Sequence, residues 1–313
     1  MLILHIGLPK TGGGFLQNRI FRKLPDTILV RRGAGPREDK VCATLRKYVS
    51  APGLTAALMR RAMISAGFTK LKQLNESELP SNAILSDENL SLRMAAFWRG
   101  NGPGPERVAE RLYTLATSVP AQYGPVKILI GLAPQEDWMA ARYAEASKSM
   151  DRFSQADFDQ RMMRIAQDER LAGALGWLDY AQIYKSFAGR FGTDHVVVMR
   201  QEQLVDRPQR TLNKLGQKLG GLNLVQPYRK MKRRHNEGKL KALTAEESTW
   251  HLRRTDAVLE LKEDVRNALR ARLSESNAQF LAMTGSAEGS GQSKRRRLKR
   301  TGQQKHLQSS ASI

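Results

Sequence analysis

Leu8 to Asn18 reads LPKTGGGFLQN. A lysine and a threonine precede three consecutive glycines. The glycines open a segment in which Leu16, Ile20 and Leu24 fall at i, i+4 and i+8, with Phe15 and Phe21 beside them. These residue types suit the binding of a phosphate-like anion. Glycines let the backbone approach an anion closely and aim several N–H groups at it. A helix that follows adds partial positive charge at its start. Lys10 supplies a full charge and Thr11 a hydroxyl. A glycine turn with no ligand has the same composition, and the stretch alone leaves both readings open. Gly7-x4-Gly12 has the spacing that opens a P-loop, but Gly13 and Gly14 stand where that motif needs Lys and Ser or Thr. That argues against a P-loop nucleotidase.

The elements around this stretch alternate between strand and helix patterns. LILHI (2–6) runs into the glycines. AILS (83–86), VKILIGL (126–132) and HVVVM (195–199) have strand length and composition. Helix-like stretches at 106–118, 135–148, 155–167 and 205–219 separate them, which predicts crossover units and a mainly parallel sheet. The glycine turn then lies at the carboxyl end of a strand, where open α/β folds bind ligands. Beyond residue 240 the pattern reads as all helical. Thr244 and Glu247 have capping-box spacing, and Val258, Leu261, Val265, Leu269 and Leu273 recur at three or four residues. The stretch 33–75 reads as irregular and partly helical. The fold class expected is α/β, a three-layer, mainly parallel sheet flanked by helices with a helical C-terminal annex. One α/β domain is expected over 1–285, with a basic disordered tail over 286–313.

Composition narrows the partners. The chain has 313 residues and a net charge of +22. Seven Lys and Arg, with no carboxylate, lie between residues 291 and 313, including the run KRRRLKR, and leave +15 elsewhere. Such an excess suits polyanionic partners or a strongly anionic ligand; the tail itself reads equally as a solubilising end. No aromatic–basic interleaving suggests base stacking, so nucleic acid is a disfavoured partner. The single cysteine, Cys42, forbids an internal disulfide and reads as a small buried residue. Five scattered histidines and one cysteine give no metal-ligand spacing, so no metal is expected. No stretch approaches the roughly 20 apolar residues that span a bilayer, and no leader pattern opens the chain. The expectation is a cytoplasmic protein without a transmembrane segment.

HIGLPKTGGGFLQ (5–17) resembles the 5′-phosphosulfate loop of sulfotransferases, especially bacterial members. Three further stretches are similar to that family in the same order. They are ILSDENLS (84–91), ILIGLAPQEDWMAARYAE (128–145) and YKSFAGRFGTDHVVVMRQEQLVDRPQRTLNKLGQKLG (184–219). The resemblance covers roughly residues 2–285. It implies a P-loop-like three-layer fold, 3′-phosphoadenosine 5′-phosphosulfate as the anionic nucleotide donor, and in-line sulfuryl transfer to a hydroxyl or amine, a glycan acceptor among the candidates. It also implies roles. Lys10 would balance charge on the leaving oxygen, and Thr11 with the N–H groups of Gly12, Gly13 and Gly14 would hold the 5′-phosphate. Glu88 is the candidate general base, or else a helix-start carboxylate in SDENL with Ser86 as cap. His5 is a candidate second base, or else a strand residue hydrogen-bonded in place.

The departures from the family pattern are as informative as the matches. Gly13 and Gly14 replace hydroxyl residues of the loop, each worth roughly 1.5–3 kcal/mol as a bond to a charged group. Ala133 and Ala141 stand where the family places an arginine and a serine on the 3′-phosphate, and loss of an arginine clamp costs on the order of 2–5 kcal/mol. Two rescues are open. Arg142 could turn toward that phosphate or remain a solvated helix arginine. Lys230, Lys232, Arg233 and Arg234, in the basic stretch 228–241, could close over the nucleotide or form a solvated linker. Trp138, Met139, Tyr143 and Met150 read as helix packing. Three functions remain: an active sulfotransferase with altered donor contacts, a catalytically impaired module that binds a nucleotide, an acidic glycan or a partner, and a polynucleotide binder.

Overall fold

The computed structural model describes residues 1–51, 80–91, 97–98, 102–117, 123–168, 170–231, 250–252, 255 and 257–285. The capping-box pair Thr244 and Glu247, the cations Lys232, Arg233 and Arg234, most of 33–75 beyond Ala51, and the tail from 286 lie outside the described residues.

Six consecutive buried residues make β1 (Leu2–Gly7) a strand covered on both faces. A helical segment follows in three pieces: α1 (Gly13–Phe15), a π-helical turn (Leu16–Ile20) and a 3-10 turn (Phe21–Lys23). Then come β2 (Thr27–Arg31), α2 (Pro36–Ser50), β3 (Asn82–Ser86), α3 (Pro105–Ala116), β4 (Val126–Leu132), α4 (Gln135–Ala146), α5 (Gln155–Gln167) and α6 (Tyr180–Phe191). The chain continues through β5 (Val196–Arg200), α7 (Gln201–Asp206), α8 (Pro208–Lys218), α9 (Val225–Arg229), β6 (Trp250–His251), β7 (Val258–Leu259) and α10 (Glu263–Thr284).

The main sheet has the order β2-β3-β1-β4-β5, and each of its neighbouring pairs is parallel. From β1 the chain goes to the edge at β2, returns to fill the gap with β3, and then crosses to the other side of β1 at β4. The ends of β1, β3 and β4 therefore meet at one rim, and the order switches at β1. A crevice at such a switch point is where open α/β sheets take ligands. Two apolar clusters cover the two faces. On one, Leu2, Leu4 and Ile6 meet α2 to α6 and α10 through residues such as Tyr48, Val108, Tyr143, Phe187 and Leu269. On the other, Ile3 packs with Leu16, Ile20 and Phe21 and with Leu204, Leu212 and Leu215 of α7 and α8. This is the three-layer α/β arrangement that the alternating pattern predicts. Among the described residues no helix is long and apolar enough to cross a membrane.

Several expectations change in detail. TILVR (27–31) forms an additional strand at the sheet edge, only half buried, so its apolar run is too short to stand out. The stretch 205–219 is two helices, because Pro208 cannot donate to the preceding turn and starts α8 afresh. The all-helical reading beyond residue 240 is corrected. Val258 lies in a two-stranded antiparallel pair with Trp250 and His251 and is exposed, and only from Glu263 does the apolar spacing belong to a helix, burying Val265, Leu269 and Leu273. Ser86 does not cap the turn after β3. Asp87 does, accepting from Asn89 N–H at 3.0 Å. The same carboxylate, 1% exposed, takes Arg46 Nη1 at 2.8 Å and so ties α2 to the turn that carries Glu88. Cys42 is buried against Val30.

Removing one partner of a buried ion pair strands the other charge, at about 3–5 kcal/mol. Arg46→Met should lower unfolding free energy in urea by that order, and Arg46→Met with Asp87→Asn should recover part of it. A loss below about 1 kcal/mol for the single variant would mean that the pair does not hold this turn.

Candidate functional site

The loop between β1 and α1 lies between the ends of β3 and β4. Leu8 N–H donates to Gly131 O at 2.8 Å, and Trp138 Nε1, on α4, donates to Pro9 O at 2.7 Å. Gly7 has φ 102, and a Cβ there would lie 2.7 Å from Glu88 O, so only glycine fits. Lys10 has φ 67, an uncommon backbone state for a side chain of this kind. Such outliers cluster where structure serves a site. The N–H groups of Lys10, Thr11 and Gly12 donate to no other backbone group among the described residues. Gly12, with φ 95, turns the chain into α1.

Four charged side chains converge on this loop. Lys10 has about half of its side chain exposed, and its Nζ is 3.7 Å from Glu145 Oε2. Arg142, one turn before on α4, is 1% exposed. Its Nη1 lies 3.8 Å from the same carboxylate oxygen, and its guanidinium lies 5.9 Å from the Trp138 ring centre. All three of its guanidinium nitrogens are buried without a hydrogen-bond partner among the described residues. Burial pulls its pKa down to about 10, against the opposing pull of Glu145 and Glu88, so it stays a cation at neutral pH. Arg142 is thus a buried arginine rather than a solvated one. Glu88 sits in a single turn after β3 (Glu88–Leu90). Its carboxyl lies against Gly13, where a Cβ would collide with Oε1 and lie 2.8 Å from Cδ. Burial raises its pKa above the ordinary carboxylate value; Lys10 and Arg142 oppose the rise, and Asp87 and Glu145 add to it.

Other expected ligands face elsewhere. Thr11 is fully buried and its hydroxyl donates to Leu8 O at 2.6 Å, against the bare Cα of Gly131. Its side chain staples the loop from inside. Nothing approaches the position of a Cβ on Gly14, which faces open space. His5 is fully buried, with Nδ1 2.5 Å from Ser86 Oγ, and the same hydroxyl accepts from Gln17 Nε2 at 2.9 Å. Its other nitrogen has no partner among the described residues. Burial lowers its pKa to about 4, so it is neutral at pH 7 and enclosed, as a strand residue held in place would be. Ala133 is buried, and its carbonyl accepts from the Tyr180 hydroxyl. It borders a cavity of about 330 Å³ at the ends of β4 and β5. The cations there are already paired, Arg270 with Glu136 at 2.6 Å and Arg200 with Glu202 at 3.0 Å. Trp138, Met139 and Tyr143 are core residues, as their spacing suggests. Glu145 was not singled out by the sequence; its pairing with Lys10 joins residues far apart in the chain and has no local signal.

The arrangement can gather an anion at backbone amides, balance new negative charge with Lys10, and take up a proton on Glu88. No family model matches the chain, and no curated protein matches it significantly. Among solved structures, it aligns with a sulfotransferase from Alicyclobacillus acidocaldarius at 15% identity and a TM-score of 0.50, over 90% of this chain and 95% of that one. A mouse sulfotransferase complexed with PAP matches at 12% identity and 0.39, over 90% and 82%. A sulfotransferase domain from the curacin biosynthetic pathway matches at 13% and 0.34, over 88% and 97%. The first of these shows that the chain has the fold of a sulfotransferase.

Depressed histidine basicity makes the fold acid-sensitive. The unfolded chain binds a proton at His5 near pH 6.5 and the folded chain only near 4, so this contribution is present above the unfolded value and is lost as pH falls toward 4. Between pH 7 and pH 4.5, wild type should lose about 2 kcal/mol more than a His5→Gln variant in urea unfolding. Parallel losses in the two proteins would refute the assignment.

Proposed function

We propose that the chain binds a nucleotide donor of the 3′-phosphoadenosine 5′-phosphosulfate type at the β1–α1 loop and transfers its sulfuryl group to a hydroxyl or amine acceptor. The observation that carries this reading is the meeting of loop amides with no backbone partner among the described residues, a half-exposed Lys10 at positive φ, and a half-buried Glu88 carboxyl at one rim of the sheet. The fit to such a donor is partial. The amides from Lys10 to Gly14 suit its 5′-phosphate, and Lys10 supplies a full charge, but neither Ala133 nor Ala141 can ligate a 3′-phosphate. When bound, the donor supplies a sulfuryl group whose bond to a phosphate oxygen breaks as the acceptor oxygen or nitrogen bonds to sulfur.

The chain's own residues meet the needs of that chemistry as follows. Lys10 stands where negative charge grows on the departing oxygen. Glu88, kept more basic by burial, takes the acceptor proton. Arg142 and Lys10 offset the like-charge strain among Glu88, Glu145 and Asp87 and keep the base ionisable. A second reading, binding without transfer, is favoured by one observation: the only loop hydroxyl, that of Thr11, is turned inward onto Leu8 O.

Titration calorimetry with adenosine 3′,5′-bisphosphate tests the site. Wild type should bind, and Lys10→Ala should weaken binding by about tenfold or more. No binding at millimolar nucleotide, or equal binding by both proteins, would sink the placement. Glu88→Gln separates the two readings. Transfer from the labelled donor should fall about 10²- to 10⁴-fold, while nucleotide affinity holds or rises because a like charge leaves the loop. Absence of transfer by wild type across hydroxyl and amine acceptors, with nucleotide binding intact, would favour the second reading.

A further inference from the structure

Charge is segregated between the two helical layers. The helices of the layer formed by α2 to α6 and α10 carry fourteen Lys and Arg against twelve Asp and Glu. The opposite layer differs. From Gly13 to Leu24 the chain has Arg19, Arg22 and Lys23 and no carboxylate. From Arg207 to Met231 it has Arg207, Arg210, Lys214, Lys218, Arg229 and Lys230 and again none. All of these except Arg19, which is half-buried, are exposed. These two stretches pack on the same face of the sheet, through Leu16, Ile20, Leu212, Leu215 and Leu224. Phe15 against Tyr228 ties α9 to the first helical segment. The carboxylates that flank these stretches in the chain are Asp26, just after the first, and Glu202 and Asp206 of α7, just before the second; Glu202 is paired with Arg200.

We propose that this layer is a docking face for an extended acidic polysaccharide bearing sulfate or carboxylate groups, distinct from the reaction site at the sheet rim. Nine cations over two helical stretches, α8 alone about 16 Å long, match a linear polyanion rather than a single phosphate. Arg and Lys form charge-assisted bonds to sulfate and carboxylate. Gln209, Asn213, Gln217 and Gln226 are exposed among them and offer the paired donors and acceptors that sugar hydroxyls need. The face lacks what other polyanions call for. Phe15 and Phe21 are buried, and Tyr228 is half-buried against Phe15, so no exposed ring awaits a base. The large hydrophobic side chains exposed among the described residues, Tyr113 and Val258, lie off this layer, so nothing here inserts into a bilayer.

The test uses the full chain and a fluorescent heparin oligosaccharide, with affinity measured between about 0.05 and about 0.3 M salt. Wild type should bind, with affinity falling steeply as salt rises. The variant Arg22→Gln, Lys23→Gln, Lys218→Gln, Arg229→Gln should bind at least about tenfold more weakly and with a shallower salt slope. A control that removes four cations from the other layer (Lys47→Gln, Arg107→Gln, Arg164→Gln, Arg190→Gln) should stay within about threefold of wild type. Thermal melting checks that all three proteins are folded. Equal loss in both variants, or none in the first, would overturn the proposal and assign binding to bulk charge or to the basic C-terminal stretch. Tighter binding of duplex or single-stranded oligonucleotide, or of phosphatidylserine vesicles, through the same four residues would also overturn it. The outcome does not depend on nucleotide binding at Lys10, so the two proposals fail separately.

Discussion

The site depends on one steric constraint: the chain leaving β1 has almost no room. It must turn between the ends of β3 and β4. Gly7 approaches Glu88 O too closely for a Cβ, Gly131 has no side chain where the Thr11 hydroxyl lies, and Gly13 has none where the Glu88 carboxyl lies. A side chain at any of the three would push the loop, the staple or the carboxylate out of place. The glycines after Thr11 thus do more than free the backbone. Gly13 leaves the space that the Glu88 carboxylate fills, so a side chain there would displace that carboxylate.

That placement has an electrostatic consequence. A carboxylate beside backbone amides competes with any anion that approaches them, unless cations hold the balance. Lys10 and Arg142 do so here, sharing Glu145 at 3.7 and 3.8 Å. These distances are too long for strong hydrogen bonds, so the guanidinium keeps its donors unspent in a dry place. A buried cation without bonds is costly to maintain, and burial accordingly lowers its pKa. Its value to the fold is small beside its value to the charge of its neighbours. Replacing it with a hydrophobe of similar size would leave Glu88 and Glu145 with Lys10 as their main counterweight, and Lys10 is half exposed and screened by water.

The sheet was largely legible, because its buried parallel strands are short unbroken apolar runs and the helices between them keep their period. β2 escaped because an edge strand needs few apolar residues, and β7 because Val258 and Leu261 happen to continue the spacing of the helix that follows. The break at Pro208 was legible in principle, since proline ends one helix as readily as it begins another. The site was legible as a list of loop residues but not as a geometry. Nothing in the sequence orients the Thr11 hydroxyl inward, and nothing local says that Arg142 lies under the loop rather than in water. Both follow from what β4 and α4 present to the loop, which only tertiary packing decides.

Fold and ligand set are separable here, and the physics says why. The sheet architecture is specified mainly by buried parallel strands and two apolar faces, which lie away from the loop. The side chains that would grip the nucleotide's phosphates lie at the rim and contribute little to folding, so they can change without disturbing the sheet. Ala133 shows the separation: its backbone carbonyl accepts from the Tyr180 hydroxyl whatever side chain stands there. Lys10 differs. Its left-handed backbone would be less strained as glycine, yet a lysine stands there, and among the described residues its ammonium approaches the Glu145 carboxylate at 3.7 Å. The backbone strain at Lys10 therefore has no evident return in folding, and the proposed site gives its charge a use.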